Sequence, residues 1–144
     1  MITFFTLIIL TAFGWFISLY FFLVHKHRIA ENVWWMPSFL RMTNCRCDEI
    51  VESEFGRSFG RSNAYWGTWY YFIFMLIIIG DRSFNLPPFE IIFIISLLAF
   101  AYSIYLAWGL YIMRVACRPC LGAHLVNLLV FAICLYQVFP LLFN

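Results

Sequence analysis

The chain has 144 residues, of which 65% are hydrophobic, 22% aromatic and only 11% charged, with a formal net charge of +2 and a mean hydropathy of +0.89. A water-soluble domain of this size could hardly present that composition to solvent, so the chain reads as an integral membrane protein, and no nucleic-acid partner is expected.

The first apolar stretch, Ile2 to Val24, is long enough to cross a bilayer as a helix. It lacks a basic n-region, and no small-residue cleavage pattern follows, so it is expected to be retained rather than removed as a signal peptide. Residues 25–63 then form a long polar connection carrying six of the nine Lys/Arg and five of the seven Asp/Glu. The second stretch, Ala64 to Gly80, is the shortest. It ends in DRSFNLPPFE, where Pro87 and Pro88 stop one helix and Phe89 leads into the next. The third runs from Ile91 to Met113, and a brief connection around Arg114 to Arg118 leads into the fourth, roughly Cys117 to Phe143. Hydrocarbon cannot satisfy backbone amides, so the expected architecture is all-α: residues 1–144 as one four-transmembrane-helix bundle, with a long extramembrane loop between helices one and two.

Parity along these spans puts the long loop and the third connection on one membrane face. Cys45, Cys47, Cys117 and Cys120 then share one surface, although the two pairs are far apart in sequence. Cys117 and Cys120 form a C-x-x-C at a helix start, where both sulfurs fall on one face and the helix N-terminus favours a thiolate. Arg114 and Arg118 add positive charge, and Pro119 lies in the first turn, where its missing N–H costs nothing. A lone C-x-x-C is compatible with a redox dithiol, half of a zinc site, or coincidence. The loop pair in NCRCDE could relay electrons, could hold one reactive and one idle cysteine, or could join a zinc site with His25 or His27. Cys134 lies about 21 Å beyond Cys120 along the helix and reads as a packing residue.

His124 and Asn127 continue the face of Cys120 into the membrane, at a spacing that points polar groups to a bundle interior or a ligand. The run WGTWYYFIF is expected either to fill the core or to line an aromatic slot.

Taken in order, SLYFFLVHK, CDEIVESEFGRSFG from Cys47, SNAYWG, SIYLAW and CRPCLGAHLVNL resemble the vitamin K epoxide reductase family, and the resemblance covers nearly the whole chain. It implies a four-helix membrane thiol oxidoreductase that passes electrons from a thioredoxin-like partner to loop cysteines, then to the C-x-x-C, then to a quinone. By that resemblance Cys47 exchanges with Cys117, and Cys120 attacks the quinone. Asn63 matches an asparagine that donates a hydrogen bond to one quinone oxygen, and His124 stands where vertebrate members have a tyrosine that contacts the other. Phe55, Phe59, Trp66 and Tyr70 match hydrophobic pocket walls. The substrate implied is a quinone of the vitamin K, menaquinone or ubiquinone type, or vitamin K epoxide, with no tightly bound cofactor or metal. The bound surroundings are membrane lipid.

Two departures from the family pattern stand out. The first loop cysteine is expected about eight residues before Cys47, and that position is Phe39, which leaves Cys45 as its substitute. The segment after GRSFG is short, which implies a smaller lid and looser substrate selection. Charge and redox logic disagree about orientation: the loop face carries eight Lys/Arg against one on the other face, which favours the cytoplasm. Disulfide relays work in the lumen or periplasm, and that orientation is the expected one, in the endoplasmic reticulum or a bacterial plasma membrane. The alternative from another class is a non-enzymatic membrane protein with zinc-binding or structural cysteines.

Overall fold

A computed structural model describes residues 2–43, 46–84 and 89–142. The Pro87–Pro88 turn, Cys45 and the C-terminal Phe143 lie outside the described residues. Among those residues the chain is built from long helices: α1 (Ile2–His25), a short α2 (Cys47–Glu52), α3 (Asn63–Phe84), α4 (Phe89–Met113) and α5 (Arg118–Leu142). A single helical turn at Ser38–Leu40 and a minimal hairpin, β1 (Arg57–Ser58) with β2 (Arg61–Ser62), complete the loop between α1 and α3.

The expected boundaries of the apolar stretches agree with α1, α4 and α5 to within a few residues. Among the described residues, three segments are long and apolar enough to cross a membrane: Thr3–His25, Phe89–Met113 and Arg118–Phe139. This is therefore a membrane protein. The shortest expected stretch, Ala64 to Gly80, lies within α3, whose first three turns hold Trp66, Trp69, Tyr65, Tyr70 and Tyr71. Those rings lower its hydropathy relative to the other three.

Two helices end on the loop side without glycine. His27 takes φ 53°, and its N–H donates to the Val24 carbonyl at 2.8 Å while Arg28 N–H donates to the Leu23 carbonyl at 2.9 Å. Arg114, also at φ 53°, repeats the arrangement at the end of α4, with Val115 N–H donating to the Leu110 carbonyl at 3.2 Å. These left-handed closures satisfy terminal carbonyls and turn the chain sharply back on the bundle.

α1 packs against α3 on one side and α5 on the other, and α4 lies against α5. α1 and α3 run antiparallel with a small residue at each crossing. A Cβ on Gly14 would meet the Tyr71 ring at 2.5 Å, and one on Gly67 would meet Ser18 Oγ at 2.9 Å. The spacing is reciprocal, four residues on each helix, and lets the backbones approach in a medium where packing rather than water drives association. α5 is held to α4 by the stacked Phe100 and Phe131 rings, 4.8 Å apart. At the far end Gln137 Nε2 donates to Thr3 Oγ1 at 2.9 Å, tying α5 to the start of α1. These pairings put the end of α1, the start of α3, the end of α4 and the start of α5 at one end of the molecule, together with the loop.

Replacing Gly14 or Gly67 with Leu is expected to separate α1 from α3 and to cost about 1–3 kcal/mol per site through overpacking. Chemical unfolding of the detergent-solubilised protein measures it; an unchanged midpoint would mean that the two helices do not need this close approach.

Candidate active site

The loop reaches the site through α2 and the hairpin. Gly56 sits so tightly against the end of α2 that a Cβ there would run into the Ile50 carbonyl. Its own carbonyl accepts the Asn63 N–H at 2.9 Å. Phe59 and Gly60 have φ 51° and 76°, the two-residue turn that matches the strand twist in a tight hairpin. The hairpin returns the chain to Asn63, the first residue of α3.

Asn63 is the hub of this junction. Its Nδ2 donates to the Phe55 carbonyl at 2.5 Å. Its Oδ1 faces two hydroxyls, Ser58 Oγ at 3.0 Å and Tyr102 at 3.1 Å, which are themselves 2.5 Å apart. Two hydroxyl hydrogens thus serve three oxygen contacts, and the second Nδ2 hydrogen is left over. Trp66 Nε1 adds a bond to the Ser58 carbonyl at 2.8 Å. The side chain therefore binds loop, α3 and α4 together, beyond the simple helix cap that a Ser-Asn pair offers.

Below this junction lies a cavity of about 280 Å³. α1 contributes Ile17, Ser18 and Phe21 to its wall, and α2 contributes Ile50 and Val51. α3 supplies Asn63, Trp66 and Tyr70; α4 supplies Tyr102 and Ser103; and α5 supplies Cys120, His124 and Asn127. Phe55 closes it against Gly109 of α4, where a Cβ would lie 2.6 Å from the ring. The lining is mainly apolar, with a few polar groups converging from separate helices, the usual make-up of a small-molecule site.

Cys117 and Cys120 are joined as a disulfide. Their environments differ: Cys117 is 0% exposed, whereas Cys120 is half-buried and faces the cavity. Pro119 is buried in the first turn of α5. Cys47, at the start of α2, is buried in the core and is also disulfide-bonded. Because Ile50 and Val51 of the same short helix line the cavity beside Cys120, the loop and the C-x-x-C meet at one end of the bundle. Cys134 is a free, buried cysteine within α5.

The structure thus brings Asn63, His124, Phe55, Trp66 and Tyr70 to one cavity with Cys120. It does not bring Phe59 there: that ring is 95% exposed at the hairpin tip and meets only the outer side of Trp66, edge-on at 6.2 Å. Turn geometry is the reason, since the residue at the first corner of a two-residue hairpin points away from the body. Cys45, the other loop cysteine of the expected relay, lies outside the described residues. Sequence reasoning missed Ser58, Tyr102 and Ser103, and held Tyr71 only as part of the WGTWYYFIF run that fills the core or lines a slot. Tyr71 donates to Asn127 Oδ1 at 2.8 Å, and Asn127 Nδ2 donates to Ser103 Oγ at 2.6 Å, forming a polar chain across α3, α5 and α4 at the cavity floor. The available signal was that hydroxyls and amides inside apolar helices turn inward.

A sequence model of the vitamin K epoxide reductase family matches residues 5–135. The chain belongs to that family. No curated protein and no solved structure matches it. Membership implies a membrane oxidoreductase of the thiol–quinone class, and in this member a C-x-x-C disulfide opens α5.

Asn63→Ala is expected to strand the Phe55 carbonyl and both hydroxyls, lowering stability by about 1–3 kcal/mol even without a ligand, whereas Ser58→Ala should cost only about 0.5–1.5 kcal/mol. Thermal unfolding of the ligand-free variants measures both. Equal, negligible shifts would show that the junction does not depend on the Asn63 amide.

Proposed function

We propose that this protein couples thiol–disulfide exchange at its loop cysteines and C-x-x-C to reduction of a quinone or vitamin K epoxide held in the cavity. The observation that carries the proposal is the exposure of Cys120, but not Cys117, to an aromatic, largely apolar cavity that also receives Asn63 and His124. A single 144-residue domain with four membrane spans is part of the proposal, α3 crossing alongside the three more apolar helices.

In the reduced enzyme the Cys120 thiolate attacks the bound quinone. The Cys117 thiol then forms a bond to the Cys120 sulfur and releases the ring. Two electrons leave the dithiol, the disulfide forms, and the quinone takes up two protons to become a hydroquinone. With an epoxide the same dithiol yields the quinone and water. The disulfide-bonded state of Cys117 and Cys120 corresponds to the enzyme after turnover. Cys47, with Cys45 as the outer thiol, returns electrons from a thioredoxin-like partner through exchange with Cys117.

Electrons arriving on the ring place negative charge on its oxygens, and hydrogen-bond donors aimed there lower the barrier. The unused Nδ2 hydrogen of Asn63, from α3, and the imidazole of His124, from α5, take this role in the cavity. The Tyr102 hydroxyl joins them, because Ser58 can satisfy Asn63 Oδ1 when the tyrosine turns its hydrogen to the ligand. Phe55, Trp66 and Tyr70 sandwich the ring. A cavity of this volume takes a one- or two-ring headgroup, and α3 and α4 make little mutual contact, leaving a seam through which an isoprenoid tail reaches the bilayer. The proposed thiol–disulfide relay favours a lumenal or periplasmic loop, since such relays operate in oxidising compartments. The zinc-site alternative would need Cys117 and Cys120 as free thiolates, whereas in this structure they are bonded to each other.

Cys120→Ala is expected to abolish quinone-dependent thiol oxidation. Cys117→Ala should stop turnover while leaving Cys120 able to form a covalent quinone adduct, visible by mass spectrometry of the intact protein. Wild-type rates in both variants would remove the dithiol from the mechanism. His124→Ala should reduce kcat/KM by an amount equivalent to about 1.5–3 kcal/mol, the range for a hydrogen bond to a charged group. Steady-state assays with a small dithiol donor separate that loss from any effect on the protein partner.

A further inference from the structure

The exposed side of α1 stops short of the helix end. Phe5, Ile9, Phe13 and Phe16 are all exposed, at the spacing of one lipid-facing stripe. The next positions on that stripe are Tyr20 and Val24, and both are buried, Tyr20 completely. What covers Tyr20 is the loop. After the sharp reversal at His27, residues 31–42 run back along α1, and the Tyr20 hydroxyl ties both ends of this segment. It donates to the Glu31 carbonyl at 2.6 Å and accepts the Met42 N–H at 2.9 Å.

The segment is anchored inward by Met36 and Leu40, both buried. Leu40 presses on α5 at Gly122, where a Cβ would lie 2.8 Å from it. Trp35 packs edge-on against Tyr20 at 5.8 Å and against the lipid-facing Phe16 at 6.3 Å. Phe16 and Tyr20 lie nine and five residues before the end of α1, about 13 Å and 7 Å below it along the axis. A ring that touches both is therefore below the level of the charged Lys26 and Arg28. Yet Trp34 is 90% exposed and Phe39 66%. Through Trp35, which rests on Phe16, the segment joins the stripe that α1 abandons.

We propose that residues 31–42 form a strap embedded in the leaflet on the cysteine-loop side, with Trp34, Trp35 and Phe39 in contact with lipid. Indole rings prefer this interfacial depth, with their apolar bodies in the chains and N–H groups towards the headgroups. The strap shields Tyr20 and the seam between α1 and α5 beside the C-x-x-C, and it fixes the chain that leads to Cys47. Nothing in the proposal depends on the quinone chemistry, so the two fail separately.

The test uses the full chain, cysteines intact, in phosphatidylcholine vesicles. The difference in fluorescence between the wild type and Trp34→Phe, and between the wild type and Trp35→Phe, isolates each indole. Phe39→Trp keeps the native tryptophans and adds one, so a fold disturbed by losing an indole does not end the experiment. The expected result is that each isolated signal is lost in vesicles whose lipids are brominated on the upper acyl carbons and is unaffected by aqueous iodide. A signal quenched by iodide, or untouched by brominated lipid, overturns the strap; quenching by iodide would leave the rings in water, free for a protein partner.

Discussion

A polar side chain inside a membrane helix must find a partner within the protein, because the surrounding hydrocarbon supplies none. That constraint organises the site. Tyr71, Ser103 and Asn127 come from three helices and complete one another's hydrogen bonds, and Asn63, Ser58 and Tyr102 do the same one level higher. Each set points inward, and the space between them is the cavity. Close helix packing at Gly14 and Gly67 then decides how near α3 comes to α1, and with it where Tyr70 and Tyr71 stand relative to α5.

The two cysteines of α5 are chemically distinguished by this arrangement. They are neighbours on one helical turn, but one is sealed in the core and the other borders the cavity. The dithiol is therefore asymmetric: only Cys120 is open to the cavity, while Cys117 is enclosed by the core. The loop completes the arrangement, since α2 roofs the cavity with Ile50 and Val51 and carries Cys47 at its first position.

Backbone closure without glycine at His27 and Arg114 does related work. Both residues accept a left-handed conformation at the loop end of a helix, a state that costs an L-residue about 1–2 kcal/mol. The first turns the chain back along α1, and the second opens the four-residue connection, 114–117, from α4 to α5. The buried contacts of the returning segments, Met36 and Leu40 in one case and Val115 in the other, offset the strain.

Sequence alone determined that the chain is helical and membrane-embedded, because continuous apolar runs have no other stable form in a bilayer. It also marked Cys117 and Cys120 through local spacing, and Asn63, His124, Phe55, Trp66 and Tyr70 through ordered motifs that carry the family's pattern. Only the tertiary structure decided which aromatic rings face the cavity. Phe59 belongs to the same motif as Phe55, yet four residues further on a two-residue turn sends it outward. Ser58, Tyr102 and Tyr71 became part of the site by contacts between segments up to 56 residues apart. Spacing along one helix cannot encode such meetings, since they depend on how deeply neighbouring helices and the loop pack against each other.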